Sequence, residues 1–124
     1  MFIFNGHSNK INAIVSLNKQ RFATGSQDFQ ILVWDTSICG LHYKFDSTNG
    51  GHSNAITVLA SIDDGSILAS GSSDCSLKIW DLTKGSLKFT FDKTNGGHSN
   101  WISSLASLGN GLLASGSYDS SIKV

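Results

Sequence analysis

The sequence predicts an all-β protein assembled from repeated four-stranded antiparallel sheets. The segment 51–81 begins with Gly-His and ends with Trp-Asp, and it recurs almost three times along the chain. The recurrence has a fixed period, because 45 residues separate His7 from His52 and 46 separate His52 from His98. Within each copy, apolar and polar residues alternate with the period of a strand, and no segment keeps a helical period. A constant period of this length is typical of a repeat architecture.

The middle copy shows how turn signals bound each strand. Its turns contain Asp, Ser and Gly, whose side chains or conformational freedom favour tight reversals, at 63–65, 72–74 and 83–85. Between them we expect strands at 56–60, 66–71, 76–80 and 87–91. The same pattern predicts strands near 11–17, 20–25, 29–34 and 41–46 in the first copy. In the third copy it predicts strands near 102–107, 111–116 and 120–124. Short loops favour pairing of consecutive strands, so each copy should form an antiparallel meander.

Composition limits the classes of function. The 124 residues suffice for one small domain, 40% of them are apolar, and only 15% are charged, with a net charge of zero. Such a chain has no electrostatic footprint for nucleic acid or an acidic membrane. No apolar run is long enough for a membrane span, and we expect no secretory leader before the repeats. Cys39 and Cys75 fall at different points of their copies, which favours reduced thiols and a cytoplasmic or nuclear location.

The repeated motifs resemble those of the WD40-repeat family. In the middle copy they are Gly51-His52, Leu68 to Asp74 and Ile79 to Asp81. The first copy matches at Gly6-His7, Ala23-Thr24-Gly25-Ser26, Asp28 and Val33-Trp34-Asp35, and the third at Gly97-His98, Leu113 to Ser117 and Asp119. The resemblance implies a β-propeller, in which four-stranded blades surround a channel and bury their faces against each other.

The resemblance also implies the domain organisation. The whole chain, 1–124, is expected to be one incomplete WD40 propeller domain, with repeats at 6–46, 51–91 and 97–124. The third repeat stops before its Trp-Asp. Phe2-Ile3-Phe4 corresponds to the end of the fourth strand one period later, so residues 1–4 are expected to be the outer strand of a preceding blade.

Three residue types in each copy invite interpretation as a hydrolase site. His52, Ser70 and Asp74 are the types of a catalytic triad, in which imidazole takes the hydroxyl proton and carboxylate orients the ring. However, the same types recur in every copy, whereas an enzyme needs one site, and no GxSxG elbow surrounds these serines. We therefore expect no catalytic residues and no enzymatic activity.

The resemblance implies a structural role instead, as a hydrogen-bonded network of Trp, Ser or Thr, His and Asp in each blade. The donor count allows this chain of bonds, because indole N–H, hydroxyl and imidazole N–H can donate in sequence toward the carboxylate. The expected members are His7, Thr24, Asp28, Trp34, His52, Ser70, Asp74, Trp80, His98, Ser115 and Asp119.

Metal and cofactor sites are not expected. The three motif histidines belong to different repeats, and Cys39 and Cys75 lack the spacing of metal ligands. No GxxxxGK or GxGxxG loop is present to hold phosphate.

The positions that differ between copies are the candidates for partner binding. The residue before the first strand is Lys10, Ala55 or Trp101, and the residue before the turn aspartate is Gln27, Ser73 or Tyr118. By resemblance to the family, these positions face one rim of the propeller, where partners dock. Trp101 and Tyr118 belong to the types that dominate binding hot spots, and the alternative is that they pack against each other or a neighbouring loop.

The function that follows is a non-catalytic protein–protein interaction scaffold, with other proteins or peptides as partners and neither nucleic acid nor membrane. The alternative is a sensor or regulatory segment of a larger signalling enzyme, such as a nucleotide-driven ATPase or a kinase. The incomplete third repeat should leave an apolar face and an unpaired strand edge exposed, so self-association of this chain is also expected.

Overall fold

The computed structural model describes all residues, 1–124, and contains three antiparallel β-sheets, which we call blades 1, 2 and 3. Blade 1 has the strands β1 (Ile11–Ser16), β2 (Arg21–Ser26), β3 (Ile31–Asp35) and β4 (Gly40–Phe45). Blade 2 has β5 (Ile56–Ile62), β6 (Ile67–Ser72), β7 (Leu77–Asp81) and β8 (Ser86–Phe91). Blade 3 has β9 (Ile102–Gly109), β10 (Leu112–Ser117) and β11 (Ile122–Lys123). In every blade consecutive strands pair, so the predicted all-β meander is confirmed.

Two linkers with the same hydrogen bonds connect the blades. After β4, the Asp46 carboxylate accepts the N–H of Thr48, and the Asn49 side chain accepts the N–H of Asp46. The chain then closes on itself through a 2.7 Å bond from Gly51 N to the Asp46 carbonyl, and a Cβ at Gly51 would overlap that carbonyl. The same bonds recur after β8, from Asp92 to Gly97. The single-turn 3-10 helices of this structure are too short and too polar to cross a membrane.

The hydrophobic core lies between blades rather than within them. The larger cluster joins blade 1 to blade 2, and its centre is the Trp80 ring, which stacks on Phe45 with ring centroids 4.2 Å apart. Its ten buried members are Leu17, Ala23, Ile31, Val33, Phe45, Ile56, Leu59, Leu68, Trp80 and Leu82. A smaller cluster joins blade 2 to blade 3 around Ala60, Ile62 and Ala69. Each blade therefore depends on its neighbour for burial, as expected for a repeat architecture.

The innermost strands β1, β5 and β9 bring adjacent blades into close contact. A side-chain carbon at Gly25 would overlap Ile56, and one at Gly71 would overlap Ile102. In the first two repeats this glycine thus leaves the space that the first isoleucine of the next blade fills. This close approach explains why glycine stands at that place in the repeated motif.

A β-bulge in each of the inner strands β1 and β5 adds a hydrogen bond across the blade interface. Asn12 and Thr57 lie where the registers of β1 and β5 shift. The Asn12 amide donates to the Ile56 carbonyl at 3.0 Å, and the Thr57 hydroxyl donates to the Ile102 carbonyl. A bulge re-aims the side chain of its extra residue, and here it directs that side chain to the next blade.

The structure differs from the predicted outer strand at 1–4. These residues form no strand, and Phe2 and Ile3 are exposed. An outer strand is held by hydrogen bonds to the third strand of its own blade, and no such strand lies beside 1–4. Phe4 nevertheless packs edge-on against Phe22 and Trp34, with ring centroids 5.3 and 5.6 Å away.

We predict that the purified chain self-associates at micromolar concentration. Ile122 and Val124 are exposed at the free edge of blade 3, and unpaired apolar edges recruit other chains. Sedimentation should detect species larger than the monomer, and the double change Ile122→Lys with Val124→Lys should shift them toward it. The matched control is Ile38→Lys, an exposed isoleucine in a turn of blade 1. A compact, cooperatively unfolding wild-type monomer would contradict the prediction.

Candidate functional site

A buried chain of hydrogen bonds runs through blade 2. His52, in the loop before β5, places Nδ1 2.8 Å from Asp74 Oδ2 and Nε2 2.7 Å from Ser70 Oγ. Trp80, on β7, donates its indole N–H to the same Ser70 oxygen at 2.9 Å. His52, Ser70 and Trp80 are all buried. The chain of bonds ties the entry loop, β6, β7 and the turn between these two strands together.

One arrangement of protons satisfies every atom of this chain. Because indole N–H can only donate, Ser70 Oγ accepts it and directs its own hydrogen at His52 Nε2. The His52 proton then resides on Nδ1 and donates to the Asp74 carboxylate. All three donors are used in this arrangement.

Blade 1 contains the same chain of bonds with threonine in place of serine. His7 Nδ1 lies 2.9 Å from Asp28 Oδ2, and His7 Nε2 lies 2.8 Å from Thr24 Oγ1. Trp34 donates its indole N–H to Thr24 Oγ1 at 2.8 Å. The threonine methyl group therefore does not disturb the geometry.

Blade 3 has three of the four members. His98 Nδ1 lies 2.8 Å from Asp119 Oδ2, and His98 Nε2 lies 2.9 Å from Ser115 Oγ. No indole donates to Ser115, whose oxygen is in this respect unlike Thr24 and Ser70. The structure thus brings the eleven predicted network residues together in three groups, one in each blade.

A second serine belongs to two of the networks and was missed by the sequence analysis. The Ser76 hydroxyl donates to Asp74 Oδ1 at 2.6 Å and lies 3.1 Å from His52 Nδ1. Ser121 makes the equivalent contacts in blade 3, at 2.6 and 3.1 Å. Blade 1 has Gln30 at this place, which contributes only its backbone N–H. The available signal was a serine two residues after the motif aspartate in two of the three copies.

The network aspartates are stabilised as carboxylates. Burial by itself would raise the pKa of Asp74, but hydrogen bonds from His52 and Ser76 outweigh burial and hold the pKa below its usual range. The Ser121 hydroxyl is the largest cause of the lowered pKa of Asp119. For Asp28, burial again opposes the change, and the N–H groups of Gln30 and Ser8 together with His7 lower the pKa.

These shifts predict that the fold loses stability in acid. An aspartate whose pKa is lower in the folded state stabilises that state above its unfolded value of 3.8, and this contribution disappears as the pH falls toward the folded pKa. The free energy of unfolding should therefore drop steeply below about pH 4. The slope of this drop is the change in the free energy of unfolding per pH unit. Asp74→Asn should reduce the slope by up to about 1.4 kcal/mol per pH unit, the value for one proton.

Urea denaturation at a series of pH values measures this slope. Asp64→Asn is the matched control for loss of one carboxylate, since Asp64 is exposed and its side chain makes no bond to the network. An Asp74→Asn variant with the wild-type slope would show that the carboxylate does not take part in acid unfolding.

The aspartate of the Trp-Asp motif lies outside these networks. Asp35 accepts the backbone N–H of Ser37 at 2.8 Å and the Arg21 Nε–H at 3.0 Å. The hydroxyl of Ser37, then Arg21, lowers the pKa of Asp35 to about 2. Asp81 accepts the N–H of Thr83 at 2.9 Å in the same way. This aspartate therefore shapes the turn between the third and fourth strands.

The geometry of the His, Ser or Thr and Asp groups supports a structural role. Ser70 is fully buried, and its oxygen is hydrogen-bonded to both the Trp80 indole and the His52 ring. The same arrangement recurs in blade 1. Such fully bonded buried networks make a packing arrangement specific, and they are costly to interrupt.

The family model described as WD40: WD domain, G-beta repeat matches residues 1–35, 43–81 and 85–124. The chain belongs to the WD40 family. Members of this family generally serve as protein-interaction scaffolds.

Solved WD40 structures are similar to the chain over almost its whole length. The crystal structure of the RRP9 WD40 repeats is 26% identical with a TM-score of 0.86, and the structure of U3-55K is 27% identical with a TM-score of 0.85. Each comparison covers 96% of this chain but 36% of the other. The chain therefore spans little more than a third of those proteins and forms an incomplete WD40 propeller. A comparison with curated protein sequences gave no match.

The predicted rim residues of the WD40 blades lie in three equivalent pairs. In each pair the residue before the turn aspartate donates its backbone N–H, at 3.0 Å, to the carbonyl of the residue before the inner strand. The pairs are Gln27 with Lys10, Ser73 with Ala55, and Tyr118 with Trp101. The structure thus places the two variable positions of each copy side by side.

The two aromatic rings of blade 3 contact each other in a tilted arrangement and are exposed. The rings of Trp101 and Tyr118 have centroids 5.6 Å apart and an interplanar angle of 31°. Trp101 is 47% exposed and Tyr118 is 64% exposed. The two rings pack against each other and still present a broad surface to solvent.

One rim residue does not fit its predicted role. Ala55 is only 4% exposed, so its methyl group is inaccessible to a partner. The reason is its place in the middle blade, because β5 is flanked by β1 and β9 and a short side chain beside it is covered. Lys10 is exposed, and Gln27 and Ser73 are partly exposed.

Proposed function

We propose that the chain is a non-catalytic protein-interaction module and that Trp101 and Tyr118 are its main contact with a protein or peptide partner. The observation that carries the proposal is the solvent-exposed pair of contacting aromatic rings on blade 3. Tryptophan and tyrosine are enriched at binding hot spots, because they bury a large area and keep a polar atom for a hydrogen bond.

The surroundings of the pair support this proposal. Blade 2, which is adjacent, carries only the short side chains of Ala55 and Ser73 at the equivalent positions. Neither ring is therefore covered by a large neighbour on that side. Rings that already pack against each other in the free protein lose little conformational freedom when a partner binds.

The cytoplasm, or alternatively the nucleus, is the compartment that we propose for this module. Both cysteines are free: Cys39 is exposed, and Cys75 is partly buried. Unpaired thiols are typical of reducing compartments.

We predict that Trp101→Ala weakens partner binding by about 2 kcal/mol or more, which is roughly 30-fold, while folding stays nearly intact. Folding should survive because about half of the side chain is already in contact with water. The measurement is a pull-down with the wild-type chain, followed by titration of the recovered protein with wild type and variant.

The matched control is Lys10→Ala, the equivalent position of blade 1, which should change binding far less. Titrations should be accompanied by urea denaturation of each variant. A loss of stability without a change in binding would assign Trp101 to packing and overturn the proposed contact.

A further inference from the structure

Four asparagines of this chain are followed directly by glycine, namely Asn5, Asn49, Asn95 and Asn110. Asparagine is a chemically labile residue. Its side-chain amide can be attacked by the backbone nitrogen of the next residue, and glycine has no side chain to obstruct that attack. The four asparagines have the same neighbour in sequence, but they differ in what holds their side chains.

The asparagines of the two linkers are held by hydrogen bonds. Asn49 Oδ1 accepts the N–H of Asp46 at 2.8 Å, and the Asn49 amide donates to the Lys44 carbonyl at 2.8 Å. Asn95 makes the equivalent two bonds, at 2.9 and 2.7 Å. Both residues are exposed, so their side chains are fixed without being covered. Both bonds must break before the amide carbon can turn toward the following glycine.

Asn110 has neither restraint. With Gly111 it forms the two-residue loop between β9 and β10, and its exposed side chain makes no hydrogen bond within the chain. The two residues have φ values of 53° and 74°, as in a tight hairpin turn. The Gly111 N–H is also unbonded, and a side-chain carbon at Gly111 would meet nothing within 4 Å. Both reacting groups are therefore free.

Two comparisons set Asn110 apart from the other loops. Asp64 has a φ of 54° before the glycine of the corresponding turn in blade 2, and it is exposed although blades 1 and 3 lie on either side. Exposure of this turn is thus a property of the blade itself. Asn5, in contrast, precedes a glycine that is packed. A side-chain carbon at Gly6 would lie only 2.8 Å from the Trp34 ring, so rotation of the Gly6 backbone is hindered.

We propose that Asn110 is a site of spontaneous deamidation and reacts first among the four asparagines. The Gly111 nitrogen loses its proton to solvent and forms a bond to Asn110 Cγ, which closes a succinimide ring. The bond from Cγ to the side-chain nitrogen breaks, and that nitrogen takes a proton from water and leaves as ammonia. Water then opens the ring at either carbonyl to give aspartate or isoaspartate. The net reaction consumes one water and releases one ammonia, with no oxidation or reduction.

The product changes blade 3 in two ways. Either acid adds a negative charge to a chain whose net charge is zero. Isoaspartate also adds one carbon to the backbone of the loop. Gly109 and Leu112 form the single residue pair that closes this loop before the register shifts, so isoaspartate should open that pair. Blade 3 thus undergoes a slow, irreversible change that the linkers resist.

The test is incubation of the folded 124-residue chain in mildly alkaline buffer, followed by digestion and mass spectrometry with fragmentation. Asn110 should convert first, and Asn49 and Asn95 should convert about tenfold more slowly, because two exposed hydrogen bonds must open. The control is the same chain unfolded in urea, in which all four asparagines should react at similar rates. Conversion of Asn110 no faster than that of the other three in the folded chain, or the same order of rates in urea, would overturn the proposal.

Two variants assign the charge change to this loop. Isoelectric focusing of the incubated wild type should reveal an acidic species, and Asn110→Gly should lack most of it. Glycine adopts the positive φ of this position readily, so the hairpin is kept. The matched control is Asn5→Gly, which removes the other asparagine without side-chain bonds and should retain the acidic species. Equal amounts of acidic species in Asn110→Gly and wild type would overturn the assignment to Asn110.

Discussion

Replacement of Trp80 by alanine should cost about 3–5 kcal/mol of unfolding free energy, the range for truncation of a large buried aromatic. The side chain is fully buried at the centre of the core that blades 1 and 2 share. Its removal leaves Phe45 without its stacking partner and Ser70 without its indole donor. Both blades should lose stability together, because the cavity lies between them. Urea denaturation followed by circular dichroism, at the lowest practical protein concentration, measures the change.

Two further variants separate the causes. Trp80→Phe keeps an aromatic ring but removes the N–H donor, so it should destabilise the fold less than Trp80→Ala does. Trp101→Ala is the matched control, since it makes the same chemical change at an exposed site. If Trp80→Ala unfolded within about 0.5 kcal/mol of the wild type, as a surface change does, the shared core would not be the main source of stability.

His52→Ala should destabilise the fold by about 3 kcal/mol, the upper end of the cost of unpaired buried polar groups. Two partners lose their bonds at once, because Ser70 no longer donates to a ring nitrogen and Asp74 no longer accepts the Nδ1 proton. The removed volume adds a cavity next to Trp80. Denaturation by urea should show a lower midpoint with an unchanged slope.

The matched control for this change is His42→Ala, a histidine on β4 outside every network. Ser70→Ala should approach the effect of His52→Ala, and the double variant should cost less than the sum of the two, since both changes interrupt one chain of bonds. An unchanged midpoint for His52→Ala would mean that the buried bonds contribute nothing net to stability.

The strands could be predicted from the sequence because strong turn signals bound short runs of apolar residues, some of which alternate with polar ones. Ser86–Phe91 is an example of the alternation, since polar residues separate its apolar Leu87, Phe89 and Phe91. Whether residues 1–4 form a paired strand could not be predicted in this way. Their pattern fits a strand, but pairing is a property of the neighbouring strand, and none lies beside them.

The buried hydrogen-bond networks could likewise be predicted only in part. The His, Ser or Thr, Asp and Trp positions stand out because they recur, and their hydrogen-bonding groups match in number. Asn12 and Thr57 could not be found this way, because they differ in type and their direction depends on a bulge that shifts the register. The burial of Ala55 could not be predicted from the sequence either, since it results from the blades on either side.

The contact between Gly25 and Ile56, repeated between Gly71 and Ile102, makes the blade a unit that fits a copy of itself. Blade 2 has both parts of this contact. Its Ile56 fills the space beside Gly25 of blade 1, and its Gly71 leaves space for Ile102 of blade 3. The contact is heterologous and runs in one direction along the chain. Duplication of the segment that encodes one blade would therefore yield two blades that already match, without any compensating substitution. A propeller of this kind can lengthen by copying alone, and its repeats can diverge later at the rim while the glycine and isoleucine stay fixed.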